Sequence, residues 1–485
     1  MKNKLRTLLA VWLAVWLTIL QTSPLPAQNP GPNITKTGIT KTGITRPNIV
    51  YIYMDDLGYE ETAPYGNRLM KTPNLTRMAA QGIKFTQHYS GTAVCAPSRC
   101  ALMTGLHTGH CQVRGNRQME PGGQMPLSDQ TVTVARLLQT AGYTTALSGK
   151  WGLGGQGTSG EPNRQGFDQY YGYLDQVLAH NAFPGYLIRN GKREYLKNKV
   201  VWEENQNSWS GGLGSYASEQ LEYANDLFTE EALAFIGQKR QQPFFLYLAY
   251  TIPHDNGEAR TKEERFESPT LKPFEKENWT LTEKKYAASV SRMDDYIGRI
   301  LKRVKDAGLE KNTIVFFSSD NGSSETIPGR FVAGNRLRGL KRSPYEGGIR
   351  APLLAVWPGK IKPGTVTELP SAQWDFLPTA CELARVALPD SIDGISFLST
   401  LLGRPQERTH SHLYWEFHEK GGWQALRRGD YKLVHQVTTG AYELYDLSSD
   451  MAEKNNLIDR EPALAAQLKQ LMQATRTESS YFNFK

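Results

Sequence analysis

The feature that most restricts the fold is a pair of strongly apolar segments, Asn48-Ile49-Val50-Tyr51-Ile52-Tyr53-Met54 and Thr313-Ile314-Val315-Phe316-Phe317-Ser318-Ser319. Runs of β-branched and aromatic residues without polar alternation describe strands buried on both faces, as in a parallel sheet covered by helices. Each run stops at hard oxygen ligands, Asp55-Asp56 after the first and Asp320-Asn321 after the second. Adjacent carboxylates repel each other unless a cation holds them. In open α/β sheets the carboxyl ends of the strands are where ligands bind. A lone Asp-Asp is a turn as often as a metal site. Two strands delivering carboxylate and amide oxygens to one edge describe a site for Ca2+, with Mg2+ the alternative, rather than for zinc.

The elements between these strands alternate. Pro73 to Gln81 and Val132 to Ala141 read as short helices stopped by Gly82 and Gly142. Tyr143 to Leu147, Pro243 to Tyr250 and Ala351 to Trp357 read as strands, and apolar residues recur at helical spacing from Tyr286 to Val304. The expected fold class is α/β, with a large, mostly parallel central sheet sandwiched by helices. Beyond residue 410 the texture changes. Trp423 to Val437 and Ala441 to Leu447 read as hairpin strands turning at Arg428-Gly429-Asp430 and Thr439-Gly440, and Leu464 to Met472 as a closing amphipathic helix. A small C-terminal α+β domain with an antiparallel sheet is expected there.

The chain starts with Lys2, Lys4 and Arg6 ahead of an apolar run from Leu8 to Leu20, followed by Leu25-Pro26-Ala27. This is the pattern of a cleaved export signal, too short for a comfortable membrane span. Ile34 to Thr45 repeats Ile-Thr-Lys-Thr-Gly without aromatic residues and reads as a linker. The expected organisation is a signal over 1–27, a linker over 28–46, a catalytic domain over 47–410 and a small domain over 411–485. The expected location is the periplasm or the exterior, with no stable membrane anchor. The formal charge of +8 suits an anionic substrate, but its cations are too dispersed to argue for nucleic acid.

The chemistry centres on Val94-Cys95-Ala96-Pro97-Ser98-Arg99-Cys100-Ala101-Leu102-Met103-Thr104-Gly105. Pro97 suits the first turn of a helix, which places Cys95 at a helix N-terminus where free N–H groups favour negative charge. Arg99 lies about one turn on and presents a planar fork to the same anion. Taken alone, such a cysteine is as readily a buried structural residue. The whole stretch, however, resembles the signature of the formylglycine-dependent sulfatases, Cys-x-Pro-Ser-Arg followed by x-x-Leu-x-Thr-Gly. Further segments carry the resemblance: Asp55-Asp56, Gly149-Lys150-Trp151, Asp320-Asn321, Tyr345-Glu346-Gly347-Gly348-Ile349-Arg350-Ala351-Pro352 and Glu443-Leu444-Tyr445-Asp446-Leu447.

The resemblance implies that a maturation enzyme oxidises Cys95 to formylglycine, whose hydrated aldehyde is the nucleophile. It implies a divalent cation on Asp55, Asp56, Asp320 and Asn321. Arg99 and Lys150 would neutralise the sulfuryl oxygens, and Lys341 and His254 would assist the leaving oxygen. The expected activity is hydrolysis of sulfate esters, on a sulfated polysaccharide or oligosaccharide. Two rival readings share the same frame, a phosphoester or phosphonate hydrolase of the wider superfamily and an inactive sulfated-glycan-binding protein.

One departure stands out. Where the resemblance calls for a histidine after Lys150-Trp151, this chain has Gly152. His107, His110 and His180 are the candidate replacements. His180, in the insertion downstream, is the expected group to enter the vacated space and act as base; its alternative role is to bind a substrate hydroxyl. A helix continuing from Cys95 would carry His107 and His110 away. Tyr170, Tyr171, Tyr173, Phe183, Tyr186, Trp202 and Trp209 of the same insertion form either a sugar-stacking wall or part of the core. Of the cysteines, Cys100 and Cys111 offer one disulfide, and Cys381 reads as readily as a free buried thiol as a bridged one.

Overall fold

The computed structural model describes residues 46–119, 124–202, 214–332 and 336–484. The signal, the linker repeat and Trp209 lie outside the described residues. The central sheet has ten strands. In chain order they are β1 (Asn48–Asp55), β2 (Ile83–Phe85), β3 (Thr144–Lys150), β4 (Gln169–Tyr173), β5 (Tyr186–Arg189), β6 (Lys192–Tyr195), β7 (Phe244–Pro253), β8 (Thr313–Ser319), β9 (Leu353–Val356) and β10 (Thr365–Thr367). Across the sheet the order is β10-β2-β9-β8-β1-β7-β3-β4-β5-β6.

The middle of this sheet, β8-β1-β7-β3-β4, is parallel throughout. These are the strands with continuous apolar sequence, and every residue of β1, β7 and β8 is buried. The flanks mix direction: β9 runs antiparallel to both β8 and β2, and β5 antiparallel to β4 and β6. The sheet is therefore mixed but mostly parallel.

Helices cover both faces. On one side α1 (Pro73–Gln81), α4 (Ala224–Gly237) and α5 (Leu281–Asp306) pack together. A reciprocal Thr280–Glu283 capping box starts α5, and its buried stripe of Val290, Met293, Ile297, Ile300 and Val304 follows the helical spacing read in the sequence. Asp294 of α5 accepts from the free N–H groups of Asn74 and Leu75 at the start of α1, so one buried carboxylate ties two helices. The other side carries α2 (Cys95–Thr104), α3 (Val134–Thr140) and α6 (Phe376–Ala384). There the Phe376 ring lies 4.3 Å from that of Tyr51 on β1.

A second sheet has four antiparallel strands, β11 (Leu413–Phe417), β12 (Trp423–Arg428), β13 (Tyr431–Gln436) and β14 (Ala441–Asp446). The turns between β12, β13 and β14 are those the sequence indicated. One face of this sheet packs on α7 (Pro462–Ala474) through Leu426, Leu433, Leu444 and Leu468. From its other face Leu413, Trp415 and Ala425 meet Tyr89, Ile349 and Trp374. The small sheet thus backs the segment that carries Lys341. Among the described residues no helix is long and apolar enough to cross a membrane.

Candidate active site

Parallel strands end side by side, so the residues at their carboxyl ends gather along one edge. β1 ends in Asp55-Asp56, β8 in Asp320-Asn321, β3 in Lys150 and β7 runs into His254. Asp56 takes a left-handed backbone (φ 64°), and its amide donates to Asp320 Oδ1 at 3.1 Å. A non-glycine residue in that region is strained, and such strain persists where surrounding contacts over-determine it. Here the two metal-type strand ends are pinned to one another.

Helix α2 begins at Cys95, as the proline signal indicated, and the Ala96 amide donates to Asn116 Oδ1 at 3.2 Å. The Cys95 thiol is buried and lies 3.5 Å from Asp55 Oδ1. Arg99 has no exposure; Nη1 donates to the Lys150 carbonyl and Nη2 to Asp320 Oδ2, both at 2.9 Å. Lys150 Nζ donates to Asp55 Oδ2 at 2.7 Å, and Lys341 Nζ to Asp56 Oδ2 at 2.7 Å. Lys341 Nζ also lies 2.9 Å from His254 Nε2. The structure thus brings Cys95, Arg99, Lys150, His254, Lys341, Asp55, Asp56, Asp320 and Asn321 into one cluster.

The His254 tautomer is set by its partners. Nδ1 lies 2.7 Å from the Asp255 carbonyl, which only accepts, so Nδ1 carries the proton and Nε2 receives the Lys341 N–H. Burial, then the Lys341 charge, push the imidazole well below the ordinary histidine range. Burial also pushes the Cys95 thiol up to about 12, against the pull of Lys150 and Lys341. At neutral pH the unmodified thiol is not a thiolate and is a poor nucleophile.

The carboxylates show why a cation fits. Burial raises Asp55, but Lys150, His254, Arg99 and Lys341 together hold it well below the carboxylate range. Asp320, buried and facing Asp55, is pushed up to about 7 in spite of Arg99. Asn321 Nδ2 donates to Asp56 Oδ1 at 2.7 Å, leaving its Oδ1 buried without a partner among the described residues. An orphaned amide oxygen among convergent carboxylates is the donor set of a hard cation. The side chains alone balance Asp55, Asp56 and Asp320 against Arg99, Lys150 and Lys341, with no surplus positive charge for an anionic ester. A divalent ion would supply it.

The cavity above this cluster has a volume of about 230 Å3, and Cys95, His254 and Lys341 lie in its wall. His180 is there too, its ring stacked on that of His254 at 4.7 Å and its Nδ1 2.9 Å from Glu258 Oε2. It does not take the space beside Gly152. Gln176 does: a Cβ on Gly152 would stand 1.8 Å from Gln176 Nε2. The insertion folds into a turn that points residue 176 at the gap and sets His180 one short helical turn further along, against His254. Sequence reasoning missed Gln176, since an isolated amide side chain carries no periodicity or motif.

The aromatic insertion is mostly core. Tyr170, Tyr171, Tyr173, Phe183 and Tyr186 are buried, and only Trp202 of the described set is exposed. The sugar-stacking alternative therefore does not hold for those five. His107 and His110 lie on Asp393, away from the cavity. Cys100, Cys111 and Cys381 are free thiols, so the Cys100–Cys111 disulfide is absent.

Comparison with known proteins agrees with the geometry. The profile of the Sulfatase family matches residues 47–386, and that of "N-sulphoglucosamine sulphohydrolase, C-terminal" matches residues 340–478. Human arylsulfatase A is 33% identical over 474 residues, covering 88% of this chain and 87% of the relative. Human N-acetylgalactosamine-6-sulfatase is 34% identical, covering 75% and 67%. A crystal structure described as Ps i-CgsB in complex with k-i-k-neocarrahexaose superposes with a TM-score of 0.73 at 26% identity, covering 90% of this chain and 95% of that one. The chain belongs to the sulfatase family and is a sulfuric ester hydrolase.

Proposed function

We propose that this sulfatase is exported and removes sulfate from sulfated glycans, using formylglycine made from Cys95 by a maturation enzyme and a divalent cation, Ca2+ first. The observation that carries this reading is the convergence of Cys95, the cations Arg99, Lys150 and Lys341, and the strand-end carboxylates under one cavity. The names of the relatives support a sulfated sugar, among them N-acetylgalactosamine-6-sulfatase and the neocarrahexaose complex. The basic and apolar leader from Lys2 to Ala27 supports export.

As formylglycine, position 95 would supply a hydrated aldehyde. One hydroxyl attacks sulfur in line as the bond from sulfur to the leaving oxygen breaks, and loss of the second hydroxyl's proton then expels sulfate and regenerates the aldehyde. Asp55, Asp56, Asp320 and Asn321 would hold the cation, which when bound would supply positive charge to the sulfuryl oxygens. The remaining work falls to fixed side chains. Arg99 is locked between the Lys150 carbonyl and Asp320, so it meets developing negative charge without reorganising. Lys150, through Asp55, holds a positive charge beside position 95. Lys341 donates the proton to the leaving oxygen, since its ammonium is charged while His254 Nε2 presents a lone pair. His254 aims that ammonium, and its Nε2 lone pair takes the proton that the second hydroxyl at position 95 loses as sulfate is expelled.

The test is mass spectrometry of the tryptic fragment Phe85–Arg99 from protein made with a formylglycine-generating enzyme, alongside turnover of an aryl sulfate and a sulfated sugar. Loss of the thiol, gain of an aldehyde and no turnover by Cys95→Ala are expected. Full activity with an intact thiol would refute the mechanism. A matched aryl phosphate run in parallel separates the phosphoester alternative.

A further inference from the structure

The amide beside Gly152 is part of a larger arrangement. Gln176 is 5% exposed, and both its Nε2 and its Oε1 are buried with no hydrogen-bond partner among the described residues. The turn that carries it is well fixed. Asp175 Oδ1 accepts from the amides of Val177 at 2.7 Å and Leu178 at 2.9 Å, and Asp175 Oδ2 accepts from Gln118 Nε2 at 3.1 Å. Gln118 in turn forms an antiparallel bridge with Gln124. The Oε1 atoms of Gln118 and Gln124 are, like that of Gln176, buried and unpartnered. All three residues line the cavity that contains Cys95.

A buried amide with unused hydrogen-bonding capacity has lost its hydration without compensation. Several of them around one cavity point to a ligand that brings the missing partners. The unused atoms define its chemistry. The three carbonyl oxygens need hydrogen-bond donors, which a sulfate group does not have and a sugar hydroxyl or acetamido N–H does. Gln176 Nε2 needs an acceptor, and a hydroxyl serves as both. The amides are uncharged at every pH, so they add no attraction for the sulfate itself, which the cationic cluster below already serves.

Resting on the glycan function proposed for this site, we infer that Gln176, with Gln118 and Gln124, forms an uncharged subsite that binds donor groups of the sugar next to the sulfate ester. Gly152 is what gives Gln176 room. These are specificity residues, and they discriminate between a polyhydroxylated leaving group and a plain aryl one.

The experiment compares kcat/KM on N-acetylgalactosamine-6-sulfate, galactose-6-sulfate and 4-nitrophenyl sulfate for the matured parent, Gln176→Leu and Gln124→Leu, with melting temperatures for each. The two substitutions lie on separate segments, so a folding failure in one leaves the other informative. The expected result is a fall of about tenfold in the sugar-to-aryl ratio in each variant, carried by KM. No fall in melting temperature is expected for Gln176→Leu, since the amide makes no hydrogen bond in the free enzyme. An unchanged ratio in both variants, with the parent active on sugars, would overturn the subsite alone. A parent that hydrolyses the aryl sulfate and neither sugar would overturn the glycan reading and the subsite with it.

Discussion

Lys432 on β13 offers a quantitative test of how the small sheet supports the Lys341 segment. Its side chain and those of Glu346 and Glu453 have no exposure, with Nζ 3.0 Å from Glu346 Oε1 and 2.9 Å from Glu453 Oε1. Glu346 Oε2 also receives Tyr89 Oη at 2.8 Å and Arg350 Nη1 at 3.2 Å, and Glu453 Oε2 accepts the Glu346 amide at 2.7 Å. Burial would raise Glu346, yet Lys432, Arg350 and Arg427 hold it at about 2, whereas burial pushes Glu453 up to about 7. Lys432→Met keeps most of the stem and removes the charge. Removing one partner of a buried ion pair costs about 3–5 kcal/mol. Glu346 keeps Arg350 and Glu453 escapes by taking a proton, so the lower end, about 3 kcal/mol at pH 7.5, is expected. Urea denaturation at pH 7.5 and pH 5.5 measures it. The cost should shrink at pH 5.5, where the proton for Glu453 is more available. Lys432→Met/Glu453→Gln should recover more than half of the loss. A loss under about 1 kcal/mol, the range of an exposed pair, or a double variant no better than the single, would refute the argument.

Exhaustive chelation, or Asp320→Ala, should lower aryl-sulfate turnover by roughly a hundredfold or more, and chelation should also lower the melting temperature; metal-free enzyme at full rate would be decisive against the cation. Glu267, pushed up to about 7 by burial, accepts from the Ala182 amide at 2.6 Å beside the His180 turn. The folded protein keeps that proton to about pH 7 while the unfolded chain releases it near 4.5, so stability falls as pH rises through this window, by up to about 3 kcal/mol. Glu267→Gln should flatten that slope in urea titrations at pH 5 and 7.5, and an unaltered slope would show that Glu267 is not its source. His180→Ala removes the ring stacked on His254 in the cavity wall and should lower steady-state turnover of aryl and sugar sulfates alike, by about tenfold. Progress curves matching the parent on both aryl and sugar sulfates would remove His180 from the reaction.

Much of this protein was legible in its sequence because the informative signals are local. The buried runs of β1 and β8 declare strands covered on both faces, and their terminal Asp55-Asp56 and Asp320-Asn321 declare what those strands deliver. The helix start at Cys95 is set by Pro97, and the hairpin turns at Gly429 and Gly440 by their glycines. Nothing local reports the antiparallel direction of β9, since an apolar run reads the same whichever way its neighbour points. Nor does composition separate a stacking wall from a core: Tyr170, Tyr171 and Tyr173 are inside because β4 pairs with β3, a contact between segments far apart in the chain. Gly152 was visible as a missing side chain, but which group fills the gap depended on how the insertion folds over it. The turn fixed by Asp175 puts Gln176 there and His180 against His254, a choice made by packing geometry that neither residue carries in its type.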